Sequence, residues 1–84
     1  MVIVNNCEIG RPYSVISLVD GVGEATTPFE AKNIAVSSMI QAAEKLGADA
    51  VINVRMTSNA IAYIQWGVVE NYSLIAYGTA VKFI

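Results

Sequence analysis

The chain has 84 residues, of which 55% are hydrophobic and only 14% charged, with a formal charge of −2 and a pI near 4.8. This acidic balance, without clustered Lys and Arg, excludes the electrostatic footprint of a nucleic-acid binder. One cysteine and no histidine exclude an intrachain disulfide and a four-ligand structural zinc site.

A chain this short buries about 60–65% of the surface its unfolded form exposes, and it carries far less charge than the roughly 25% of an ordinary soluble domain. With disulfide and zinc removed, association is the remaining source of stability. A closed homo-oligomer is therefore expected. The longest uncharged run, Met56 to Val69, is broken by Thr57, Ser58, Asn59 and Gln65 and is shorter than the roughly 20 apolar residues of a membrane helix. The N-terminus has no basic residue before Arg11, unlike a secretory signal peptide, so a cytoplasmic location is expected.

No repeat, low-complexity stretch or linker divides the sequence, and residues 1–84 read as one α+β domain. Val2 to Val4 is a short β-branched run suited to an edge strand, followed by a turn at Ile9-Gly10-Arg11-Pro12. From Tyr13 to Val19 alternation places Tyr13, Val15, Ser17 and Val19 on one face and Ser14, Ile16 and Leu18 on the other. Asp20-Gly21-Val22-Gly23 then reads as a bend or bulge.

Thr27, Pro28 and Glu30 form a capping box that opens a helix from Pro28 to Leu46, and Gly47 follows as its left-handed cap. Along it Ala31, Ala35, Met39, Ala42 and Leu46 form an apolar stripe, widened by Ile34, Val36, Ile40 and Ala43. Ala50 to Thr57 reads as a strand with Ala50, Ile52, Val54 and Met56 on one face and Val51, Asn53, Arg55 and Thr57 on the other. Further strands are expected at Ala60 to Trp66 and, across Gly67, at Leu74 to Ile84. In the last, Ile75, Tyr77, Thr79, Val81 and Phe83 share one face and the small Ala76, Gly78 and Ala80 the other.

Two stretches, Leu46-Gly47-Ala48-Asp49-Ala50-Val51-Ile52-Asn53-Val54-Arg55-Met56 and Leu74-Ile75-Ala76-Tyr77-Gly78-Thr79-Ala80-Val81, resemble signatures of the YbjQ-like proteins, an uncharacterised group labelled as heavy-metal-binding. Tyr13 to Ile16 and Gly21 to Gly23 are similar to that family's opening strand and turn. The resemblance implies a β-α-β-β subunit, dodecin-like, with one long helix on an antiparallel or mixed sheet. It also implies a ring-shaped homopentamer in which strands of neighbouring subunits complete a barrel. This chain departs from the family in a shorter segment before the helix and a longer Asn59 to Tyr72 stretch containing Trp66.

Candidate chemistry is sparse. Cys7, brought together in several copies around an axis, would be a soft-metal or metalloid ligand, and singly it is a small structural thiol. Arg55, charged within an apolar strand, needs a partner. Glu24, Glu70 or a carboxylate of the next subunit would supply one, and with Asn53 and Thr57 the residue would instead form an anion site. Tyr63, Trp66 and Tyr72 read as interface packing or as a stacking platform for a planar ligand. Gly21-Val22-Gly23 lacks the third glycine of a dinucleotide loop and reads as a bulge, and the sequence identifies no particular cofactor. With no histidine, no nucleophile beside a base and no close carboxylate pair, no enzyme is expected.

Overall fold

A computed structural model describes every residue except Asn5, Cys7, Glu8 and 65–67, and for 59–64 and 68–71 it describes the backbone alone. The elements are β1 (Val2–Ile3), β2 (Tyr13–Ala25), α1 (Pro28–Lys45), β3 (Ala50–Ile64) and β4 (Val68–Phe83). They form one helix on a mixed four-stranded sheet of order β1-β3-β4-β2. Short β1 runs parallel to β3, while β4 is antiparallel to both β3 and β2.

The helix ends follow from local chemistry. Thr27 Oγ1 accepts from the Glu30 N–H at 3.2 Å, and Pro28 stands in the first turn. At the other end the Gly47 N–H donates to Glu44 O and the Ala48 N–H to Ala43 O, with Gly47 at φ +73°. This is the Schellman arrangement. Asp49 then ties the exit to β4: its N–H donates to Val81 O at 2.9 Å and its Oδ2 accepts from the Phe83 N–H at 2.8 Å.

The helix rests on a floor of small residues. Its buried stripe is Ala31, Ala35, Met39 and Ala43, so the last fully buried position is Ala43, with Ala42 packed half-buried beside the core, and Leu46 is exposed. The stripe meets Val19, Val51, Val54, Ala76 and Ala80. Gly21 and Gly23 do not bend the chain as expected, because β2 continues through them to Ala25. Their role is close approach: a Cβ on Gly23 would lie 2.0 Å from Ala31 O, and one on Gly21 would lie 2.3 Å from Ala35 O.

Two bulges overturn the expected alternation. On β2 the register steps from Val15 opposite Val81 to Ser17 opposite Ala80. Tyr13 therefore packs on the far face of the sheet with Val81, whereas Val19 packs under the helix. On β3, three steps from Ile52 to Arg55 span two on β4, from Thr79 to Tyr77. Asn53 sits in this bulge at φ 53° and donates its N–H to Asn6 O, while the Val54 N–H donates to Val4 O. Ala50 and Ile52 accordingly join the far-face core with Val81, and Val51 and Val54 both reach the helix face. A bulge holds one extra residue and inverts every side chain after it. The expected strands Ala50 to Thr57 and Ala60 to Trp66 are one strand as far as Ile64.

Among the described residues the far face is covered at one end only, where Val4, Ile9, Tyr13 and Phe83 close over Ala50, Ile52 and Val81. The molecule is long, with extents of 55 × 22 × 16 Å and a radius of gyration of 14.9 Å. A compact chain of this length would have about 12 Å. At about 1.5 Å per residue the helix spans roughly 27 Å, about half that length. No helix among the described residues is long and apolar enough to cross a membrane.

Candidate functional site

Of the residues singled out by the sequence, Asn53, Arg55 and Thr57 are described and exposed; Cys7 and Trp66, like the side chain of Tyr63, lie outside the described residues. The β3 bulge separates the first three. Beyond it, Arg55 and Thr57 occupy alternate positions on the face away from the helix, and Asn53 is held in the bulge itself by its bond to Asn6. Arg55 Nη1 donates to Val54 O at 3.0 Å.

The expected pairing of Arg55 with Glu24 does not form within one chain. Arg55 lies opposite Tyr77, and Glu24 opposite Ser73, on the far side of β4. Four residues along the strand and two strand spacings separate them by about 16 Å. The side chain of Glu70 is outside the described residues.

What the register does bring together is a row across the sheet: Asp20 on β2, Tyr77 on β4 and Arg55 on β3. Alternation on β4 already placed Tyr77 on that face, but Asp20 enters only through the β2 bulge and the β2–β4 pairing. Sequence alone held no signal for it.

A groove of about 610 Å³ lies where the C-terminal half of α1 crosses the sheet. Ser38, Gln41 and Lys45 border it on the helix, and Leu18 to Asp20 and Tyr77 on the strands. Its size falls within the range of small-ligand sites, and it pairs apolar walls with a few polar groups. A second groove of about 410 Å³ lies near the helix start, between Phe29, Lys32, Met56 and Leu74. Among the described residues no group of three His, Cys, Asp or Glu could hold a metal ion.

A family profile described as "Putative heavy-metal-binding" matches residues 17–84, most of the chain. The chain belongs to the YbjQ-like family. A UPF0145 protein of Vibrio campbellii is 36% identical over 98% of this chain and 77% of its own length. Another, from Thermotoga petrophila, is 55% identical over 63% of this chain and 44% of its own length. The matched part is thus less than half the length of the Thermotoga relative. A Pediococcus pentosaceus crystal structure, titled as a protein of unknown function of the DUF74 family, superposes over all of this chain and 98% of its own with a TM-score of 0.85. At 15% identity that likeness shows the fold alone. The YbjQ-like membership and the single helix on a mixed sheet agree with the expectation from Leu46 to Met56 and Leu74 to Val81.

Proposed function

We propose that this YbjQ-like domain is a non-catalytic subunit of a closed ring of identical chains, a pentamer on the family-based count, and that the ring holds a small ligand at its subunit boundaries. One observation carries the reading: among the described residues the sheet ends in two open edges on opposite sides. The outer edge of β2 has no partner strand along its 13 residues, and β1 with the segment after it covers β3 only as far as Val54. Open edges invite pairing with another chain, and two different edges on one subunit make a head-to-tail contact, which gives a ring where its rotation closes. Exposed apolar side chains border them, with Leu18 keeping 80% of its surface and Val15 64%.

The groove between α1 and the edge strand β2 would then lie at a subunit boundary, which supports it as the ligand site. The roles expected of Asn53, Arg55, Thr57 and Trp66 toward a ligand belong to the same proposal, as does the cytoplasmic location expected from the N-terminal sequence. Light scattering after size exclusion tests the ring. A mass near that of one chain, 9.0 kDa, with cooperative unfolding overturns the reading, and a ring of four or six keeps the mechanism but not the count.

The family description favours a second reading, a carrier of heavy metal or metalloid through several copies of Cys7. Titration with Zn, Cu and Ni ions, beside a Cys7→Ser control, decides it. Stoichiometric binding lost in the control supports the carrier.

A further inference from the structure

The two grooves stand at the two open edges, on the helix side of the sheet. The larger is bordered by β2 and the C-terminal half of α1, the smaller by the start of α1 with Met56 and Ser58 of β3. Each carries one lysine, Lys45 in the first and Lys32 in the second, both exposed and neither in an ion pair among the described residues. Asp20 also borders the larger groove, but it stands between the inward Val19 and Gly21, so its carboxylate points to the opposite face.

We infer that the ligand site is shared: the larger groove of one copy and the smaller groove of the next form one cleft, where Lys45 and the next copy's Lys32 hold an anion with an apolar body. The inference rests on the ring proposed above and names its ligand class. Because β2 and β3 are both antiparallel to β4, they run in the same direction. Rotation about the ring axis therefore sets β3 of the next copy parallel to β2, with both helices on one side.

The register follows from which part of β3 is free. Among the described residues β3 is covered as far as Val54, so Tyr13, where β2 begins, lies no earlier than opposite Arg55 of the next copy. Within one chain Tyr13 pairs with Phe83 and Arg55 with Tyr77, six positions apart on β4. The next copy is thus displaced by about six residues, roughly 20 Å along the strands. Closing a barrel requires a stagger of this kind, and most of β2 then lies along the open stretch from Arg55 to Ile64.

That displacement brings the grooves together. The smaller sits at Met56 and Ser58, opposite Ala76 and Leu74, and the larger at Leu18 to Asp20, opposite Thr79 to Tyr77. Moved by six positions, Met56 and Ser58 of the next copy come level with Ser14 and Ser17, the β2 partners of Lys82 and Ala80. The two centres stand about three residues apart, roughly 10 Å, a gap that two four-carbon lysine stems span. Two ammonium groups then share a cleft without a carboxylate among the described residues, and like charges repel. An anion between them removes the repulsion and accepts charge-assisted hydrogen bonds from both. Phe29, Leu46 and Met56 keep 70%, 47% and 45% of their surface exposed and wall the cleft for a hydrocarbon or aromatic body.

Octanoate is the probe, titrated by calorimetry into the native assembly, with 1-octanol beside it. Octanoate should bind at up to one per chain. Lys32→Met and Lys45→Met should each weaken it by about tenfold, without altering the assembly mass or the binding of 1-octanol. Coexpression of the two variants reads the sharing. In randomly mixed rings about a quarter of the boundaries join an intact Lys45 to an intact Lys32 of the next copy, so that share of the native sites should return. Two lysines serving one chain's own site would return none, which overturns the shared cleft. Octanoate left unbound, or indifferent to both substitutions, or held no better than 1-octanol, overturns the anion while leaving the ring intact. A native chain that is monomeric overturns the ring itself.

Discussion

The two faces of the same three long strands are finished to different degrees. Under α1 the inward positions include Gly21 and Gly23 on β2 and Ala76, Gly78 and Ala80 on β4, all buried, beside Val19, Val51 and Val54. On the opposite face, past the small core at Ala50, Ile52 and Val81, Leu18 and Val22 keep more than half of their surface. The difference lies in side-chain size. Glycine and alanine let a helix settle against the backbone, so one chain covers that face over the length of the helix. Among the described residues the larger side chains on the other face have no covering element in the same chain, and apolar surface left in this way is characteristic of an interaction site.

Substitutions should separate the two faces, beginning with the finished one. Ala80 is fully buried below the helix, and Ala80→Glu would place a carboxylate there without a counter-charge. A loss of about 4 kcal/mol is expected in urea unfolding, enough to remove the fold and, with it, the proposed ring. An unchanged midpoint would mean that the helix does not cover this position.

Gly23→Ala comes next. Its Cβ would stand 2.0 Å from Ala31 O and 2.5 Å from Ala35 N, and backbone atoms cannot rotate away as a side chain can. The helix must shift, at about 3 kcal/mol. Full stability in thermal melting would show that the helix has room to move.

Gly47→Val separates backbone strain from packing. No heavy atom lies within 4 Å of the position its Cβ would take, yet its φ is +73°. The loss should be about 1–2 kcal/mol, read as a lower melting temperature. A variant that melts like the native chain would place the end of the helix elsewhere.

Val22→Thr, on the unfinished face, should have the smallest effect on the fold, within about 0.5 kcal/mol when measured on dissociated chains. If the proposed ring forms, its effect should appear instead as weaker assembly at working concentration. A large loss in the dissociated chain would mean that this face is already packed within one copy.

The features legible in the sequence are those decided within a few residues. Thr27 and Glu30 meet through a hydrogen bond three residues long, and Gly47 closes the helix through bonds to Ala43 and Glu44 made by itself and its neighbour. Each is a local choice that residue type alone can make. The alternation of Ile75, Tyr77, Thr79, Val81 and Phe83 was equally legible, because β4 is the central strand, paired on both sides, and its partners carry the irregularities.

Tertiary structure decided what the neighbours of each strand demand. The bulges at Ile16 and Asn53 switch the face of every later residue, and the second is held by the segment after β1, some 47 residues away at Asn6. No local pattern in Val51 to Arg55 encodes that contact. The same holds for Gly21 and Gly23, which read as a bend from composition but serve the approach of a helix that begins at Pro28 and folds back over them. Asp20 shares a row with Arg55 only because β4 lies between them. By itself the sequence determined where the helix begins and ends, and that one chain would leave apolar surface uncovered, since capping and composition need no long-range partner. Which side chains share a face, and which edges stay open, followed from pairing between distant segments.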